Sequence, residues 1–259
     1  MKDVFPVKPN LLPNTDPRYK KWRKSLFGRG QSWSKGQTKD TNPSLQKTSK
    51  TFKDRGIDNF REWRINQIKL GKIIPNPPEL KHGAELAEIM GLAIGDGHIQ
   101  VFPRTEKLTI TLDAKYPYLI NRTEKLLLSI FRKNPVKAKA KLTNAVQVYV
   151  YQKNISSRMS FPPGNRSKIT SHIPDWIWEK NEYLLACVKG LFEAEGSLSI
   201  HLPTCTYNFQ FANSNQHLLA EMKRALELFG LHPEVRPKAV RLRKRHEVQY
   251  LEKLMDYHK

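Results

Sequence analysis

The sequence predicts an α+β fold made of one unit used twice, helix–strand–strand–helix–strand–strand–helix, behind a basic N-terminal extension. Two observations predict the duplication. AELAEIMGLAIGDGHIQV (84–101) and YLLACVKGLFEAEGSLSI (183–200) superimpose without a gap, pairing Gly91 with Gly190, Gly95 with Ala194, Asp96 with Glu195 and Gly97 with Gly196, at a constant spacing of 99 residues. The residues downstream repeat too: alternating segments LTITLDA (108–114) and YNFQFAN (207–213) lead into helical stretches over 118–131 and 215–230. The third observation is charge. Lys and Arg total 45 against 24 Asp and Glu, a net +21, an excess that repels itself in a compact chain and points to a polyanionic partner.

Taken in order, residues 1–80 hold 18 basic and 7 acidic residues and form the extension. Met1 to Lys50 is rich in Pro, Gly, Ser, Thr and Lys with little apolar periodicity, too little to offset its chain entropy unaided. Within it DPRYKKWRKSLF (16–27) suits a short basic helix with Tyr19, Trp22 and Phe27 along one side. Residues 51–72 read as one helix with Asp58 as N-cap and Gly71 as its stop, followed by the Pro-rich connector 73–83. The boundary is set near residue 80, with repeats over 81–180 and a shortened 181–259. In the first repeat a second strand pair is expected at 136–142 and 145–153. In the second, strands at 232–237 and 239–245 precede a helix at 248–257.

The shared segment has its own physics. Leu86, Ile89, Met90 and Ala93 recur at helical spacing, as do Leu184, Leu185, Val188, Leu191 and Phe192. Gly91 and Gly95, and likewise Gly190 and Ala194, stand four residues apart, so two helix backbones can approach closely. Gly97 and Gly196 sit where a left-handed residue would end each helix. Asp96 and Glu195 are then left on the last turns, the negative ends of the helix dipoles. Two carboxylates brought together there call for a cation, and Mg²⁺ is the hard, oxygen-seeking candidate.

Other features exclude alternatives. No apolar run approaches the ~20 residues of a membrane span. MKDVFPVKPN lacks a signal-peptide core, so an intracellular protein is expected, cytoplasmic, nucleoid-associated or organellar. Cys187 and Cys205 are the only cysteines, and His98, His172, His201 and His217 form no ligand pair, which argues against zinc fingers and disulfide scaffolds.

MGLAIGDGHI and VKGLFEAEGSL resemble the two motifs of the LAGLIDADG homing endonucleases, in their single-chain, two-motif form. IPDWIW (173–178), ahead of the second motif, resembles a segment common in that family. The resemblance covers about residues 80–259. It implies a saddle of two pseudo-symmetric halves with the motif helices at the interface and two antiparallel sheets in the DNA major grooves. It further implies a monomeric, Mg²⁺-dependent double-strand endonuclease, with Ca²⁺ supporting binding without cleavage. Carried over by position, Asp96 and Glu195 are the metal ligands, with the backbone at Gly95 and Ala194 beside them. The first acid of the motif is Ile94 in one copy and Glu193 in the other. The polar residue that the family often places at the end of the second strand falls at Asp113 or Ala114 and at Asn213. Lys168 fits the basic position of the first copy, while Lys238 and Lys244 compete for it in the second. Gln147, Gln152, Asn208 and Gln210 are candidate base readers, and Arg241, Arg243, Lys244 and Arg245 candidate strand-borne phosphate contacts. The front arm (YKKWR, then GRGQSWSKGQTKDTNPS) resembles small nucleic-acid-binding modules appended to mobile-element nucleases. Two rival functions share the scaffold: a splicing cofactor that binds intron RNA, and a non-catalytic DNA-binding regulator, against which the retention of both acids argues. An intein form lacks its opening nucleophile and closing His-Asn pair.

Overall fold

The computed structural model describes residues 13–27, 34–140, 143–164 and 171–256. The chain divides into two compact units, Met1–Trp63 and Arg64–Lys259. In the first, helix α1 (Pro17–Phe27) forms over the basic stretch, with the Tyr19 and Trp22 rings 5.6 Å apart on one side. Helix α2 (Pro43–Asp54) has no counterpart in the sequence reading. Its side chains form no buried stripe, but Asn42 caps it by accepting from the Ser44 and Leu45 amides, and Pro43 opens it. The single helix expected over 51–72 is two. Gly56 at φ +60° turns the chain after α2, and Asp58 accepts from the Phe60 amide before α3 (Arg61–Lys69) begins. The stop at Gly71 is there, at φ +66°.

The second unit repeats one order of elements. The first half runs α4 (Ala84–Asp96), β1 (Gly97–Phe102), β2 (Thr105–Asp113), α5 (Pro117–Phe131), β3 (Val136–Lys139), β4 (Ala145–Gln152) and α6 (Ile155–Met159). After α7 (Asp175–Trp178) the second half runs α8 (Asn181–Glu195), β5 (Gly196–His201), β6 (Thr206–Ala212), α9 (Gln216–Leu228), β7 (Glu234–Arg236), β8 (Ala239–Leu242) and α10 (Arg245–Met255). Two four-stranded antiparallel sheets result, ordered β1-β2-β4-β3 and β5-β6-β8-β7. This is the predicted α+β class.

Period-2 alternation sets the faces. Leu108, Ile110 and Leu112 with Val148 and Val150 turn one face of the first sheet to the core; Tyr207, Phe209 and Phe211 with Val240 and Leu242 do so in the second. The β1–β2 turn spans two residues and the β5–β6 turn four, including a 3₁₀ turn at Leu202–Thr204. The difference is even, so the inward and outward sets survive it. Beyond it the 99-residue spacing returns: Leu119, Ile120, Leu126 and Leu127 of α5 are buried, as are Leu218, Leu219, Ala225 and Leu226 of α9.

Helix α4 is buried without a break from Leu86 to Gly95, because it packs along α8 on one side and its own half on the others. A Cβ on Gly91 would run into the Cys187 carbonyl and stand 2.8 Å from the Leu191 nitrogen; one on Gly190 would run into the Glu88 carbonyl and stand 2.9 Å from the Leu92 nitrogen. Shifted by 99 residues the two sets of neighbours are the same, the signature of an isologous, pseudo-twofold contact.

Gly97 and Gly196 do not adopt the left-handed conformation expected of them. Their φ values are −100° and −93°, and the chain passes directly from helix into strand. Glycine is needed for space. A Cβ on Gly97 would lie 2.5 Å from Ala93 Cα, and one on Gly196 2.5 Å from the Phe192 carbonyl oxygen and inside its ring.

Candidate functional site

Asp96 ends α4 and Glu195 ends α8, both half-buried. At this end of the helix pair Gly95 meets the Ala194 methyl, and Glu195 Cγ lies 3.5 Å from where a Gly95 Cβ would stand. The close approach begun at Gly91 and Gly190 thus continues to the residues beside the acids. One glycine separates each acid from the first outward residue of its sheet, His98 or Ser197. Among the described residues no three His, Cys, Asp or Glu side chains gather into a metal-ligand group.

The strands beside the two acids differ. Carrying the β1–β2 register one step past Gly97–Ile110 sets Thr111 across from Asp96, with Gln147 beside it on β4. The same step past Gly196–Phe211 sets Ala212 across from Glu195, with Ala239 beside it on β8. The strand positions nearest one acid thus carry a hydroxyl and an amide, and those nearest the other carry two methyls.

Asn213 lies just past β6, where its Oδ1 accepts from the Asn215 amide at 2.8 Å and its own amide donates to the Lys238 carbonyl at 3.1 Å. Asp113 does the same in the first half, accepting from the Lys115 amide at 2.9 Å. Both start the turn into the following helix. Lys168 lies outside the described residues. Lys238 is exposed in the β7–β8 turn.

The candidate readers separate by face. Gln147, Asn208 and Gln210 point outward. Gln152 does not: only 4% exposed, it donates to the Phe131 carbonyl at 3.0 Å and accepts from Arg158. Its even number puts it with Val148 and Val150, so it ties β4 to α5 and cannot reach a base. The RLRKR run is strand-borne only in part, since β8 ends at Leu242. Arg241 is in the strand. Arg243 is exposed beyond it, Lys244 pairs with Glu247 at 3.2 Å, and Arg245 opens α10 with its guanidinium 5.4 Å from the Tyr207 ring centre.

Sequence reasoning missed the character of the first outward face. Lys107 Nζ stands 4.1 Å over the Tyr149 ring, Tyr149 meets Tyr151 edge-on at 5.7 Å, and Phe102 lies 5.9 Å from Tyr151. The odd numbers of Tyr149 and Tyr151, opposite in parity to the valines, were the available signal. It also missed Glu234, whose Oε2 accepts from Arg241 at 3.2 Å and Arg236 at 3.3 Å. Partial desolvation works against its charge, yet these arginines hold its carboxyl below the usual range.

Polar ties to the motif helices are also unequal. Buried Glu88 of α4 takes a two-pronged ion pair from Arg122 of α5, which raises the guanidinium further. At the matching positions stand Cys187 and Glu221. Full burial, then the nearby Glu221 charge, pushes the Cys187 thiol up. Burial likewise raises Glu221, although it accepts from the Ile173 amide at 2.8 Å and faces His217, His172 and Arg224. That bond, with Asn215 Nδ2 on the Ser171 carbonyl and Arg224 over Trp178, pins the IPDWIW segment to α9.

The family comparison covers the second of the two motif-bearing halves. Residues 182–254 match the LAGLIDADG-like domain. No curated protein matches the chain. Among solved structures, it is similar to mesophilic variants of the homing endonuclease I-DmoI, at 15% identity and a TM-score of 0.47 over 68% of this chain and 98% of that one. It is also similar to the N-terminal LAGLIDADG domain of DUF199/WhiA, at 14% and 0.46 over 69% and 84%, and to full-length DUF199/WhiA from Thermatoga maritima, at 14% and 0.47 over 71% and 59%. No helix among the described residues is long and apolar enough to cross a membrane.

Proposed function

We propose that the protein is a site-specific double-strand DNA endonuclease that acts as a monomer, with residues 1–80 as a basic extension and 81–180 and 181–259 as its two LAGLIDADG repeats. The observation that carries this reading is the retention of a carboxylate at the end of each of two helices held in backbone contact by Gly91, Gly95, Gly190 and Ala194. The net +21 charge supports a polyanionic substrate, and the outward amides, arginines and aromatics of the two sheets suit groove and backbone contacts.

Asp96 and Glu195 offer only hard oxygen donors, which fit Mg²⁺ and suit Ca²⁺ for binding without cleavage. A divalent ion bound there supplies charge to activate water and to stabilise a leaving 3′ oxygen. The chain's own part is positional. The glycine contacts hold both carboxylates against a scissile duplex, Thr111 and Gln147 offer hydrogen bonds beside Asp96, and the outward faces hold the duplex in register.

Cleavage of a target duplex in Mg²⁺, compared with binding in Ca²⁺, tests the reading. Asp96→Asn with Glu195→Gln should abolish cutting and leave binding equal or tighter, because two negative charges facing phosphate are removed. Full nuclease activity in the double variant would end the assignment. Duplex binding without cutting by the native chain would favour the non-catalytic DNA-binding reading. Selective retention of an intron RNA over duplex would favour the splicing cofactor.

A further inference from the structure

On the outward face of the second sheet, register places four polar residues in one row: Ser197 across from Gln210, Gln210 across from Arg241, and Arg241 across from Glu234. The matching row of the first sheet is His98, Thr109, Tyr149 and Val136. Only the second half therefore presents an amide, a guanidinium and a carboxylate side by side. We infer that Arg241, braced by Glu234, is a guanine-reading residue of the second half. The inference rests on the DNA-binding reading above and gives that face a sequence preference.

Three features separate Arg241 from an ordinary phosphate contact. Its side chain is 23% exposed, against 56% for Arg236, so it is held down on the sheet. Glu234 takes one of its five donors at 3.2 Å and fixes the plane of the fork, while its Nε is buried without a hydrogen-bond partner, which leaves the terminal Nη edge to meet a base. Its charge is also locally offset. Glu234 is shared by Arg241 and Arg236, so the three carry a net +1 and part of the Arg241 charge is offset, which lowers its share of counterion release from phosphate, whereas a planar fork of fixed orientation matches guanine O6 and N7. Arg236 donates to the same carboxylate oxygen at 3.3 Å, and these two arginines keep Glu234 ionised as the brace. Gln210, next in the row, is placed to contact the adjoining base pair.

The test is selection of bound duplexes from a randomised library in Ca²⁺ with the full chain, followed by affinity measurement at several salt concentrations. The native protein should require guanine at one position under the second half. Arg241→Ala should lose that preference, a drop of roughly 5- to 150-fold against other bases at that position, with preferences elsewhere and the salt slope unchanged. Glu234→Gln keeps the shape of the row and should relax the same position while binding non-specific duplex more tightly. If Arg241→Ala instead weakens all sequences alike and lowers the salt slope by about one, Arg241 is a phosphate contact and the inference fails. Unchanged preference in both variants overturns it equally. If the native chain binds no duplex, the DNA-binding reading fails first, an outcome distinguishable from the other two.

Discussion

The two halves of the Arg64–Lys259 unit are built alike where their backbones meet and differ where side chains do chemistry. Gly91 and Gly190 see equivalent neighbours, the sheets share one strand order, and α5 and α9 bury matching positions. Yet Glu88–Arg122 in one half corresponds to Cys187–Glu221 in the other, Tyr149 to Arg241, and Thr111 with Gln147 beside Asp96 to Ala212 with Ala239 beside Glu195. The conserved features are those for which geometry leaves one solution, a backbone–backbone contact and a two-residue pleat. The divergent ones are side chains that this backbone contact does not dictate, around a core that runs continuously through both halves.

If the helix contact is symmetric, Gly91→Ala and Gly190→Ala should cost alike, about 3 kcal/mol each, since backbone must move to admit either methyl. Urea unfolding measures this; a large cost at one site and none at the other would break the equivalence. Next in size, Arg122→Met should destabilise by roughly 3 kcal/mol, because Glu88 is 5% exposed and is left without its cation. Glu221→Gln should cost well under that, since burial already disfavours the carboxylate charge that the amide removes.

The Cys187–Glu221 side also predicts a pH signature. Burial raises Glu221 above its unfolded value of 4.5, so the folded state binds the extra proton and stability falls as pH rises from there through the folded pKa. Glu221→Gln should remove that slope in unfolding measured across the window. An unchanged slope would assign it to another group. The smallest effect is local. Asn215 caps α9 through the His217 and Leu218 amides, whereas α5 starts on Pro117 with no side-chain cap, so Asn215→Ala should cost about 1 kcal/mol. Thermal melts resolve such a change, and a neutral result would make the two helix starts equivalent.

Much of this was legible without coordinates. The 99-residue spacing, the paired small residues and the acids at the helix ends are local patterns, and the periods of 3.6 and 2 placed α4, α8, β2 and β6. Helix α2 was hidden because PSLQKTSKTFKD has only Leu45 and Phe52 as large apolar residues and no fully buried side chain; Asn42 followed by Pro43 was the clearer signal. Gln152 was misread because type suggested a reader, while parity with Val148 and Val150 had already turned it inward.

By itself the sequence determined the duplication, the α+β class, the excess positive charge and the position of Asp96 and Glu195 on their helices, since each depends on neighbours within one or two turns or strand steps. Tertiary structure decided that Gly97 and Gly196 are required for space rather than for a left-handed turn, that Glu88 meets Arg122, and that Glu234 braces Arg241 across β7 and β8. Those outcomes depend on which atoms the fold brings together from distant or neighbouring elements. Residue type and local spacing do not contain that information.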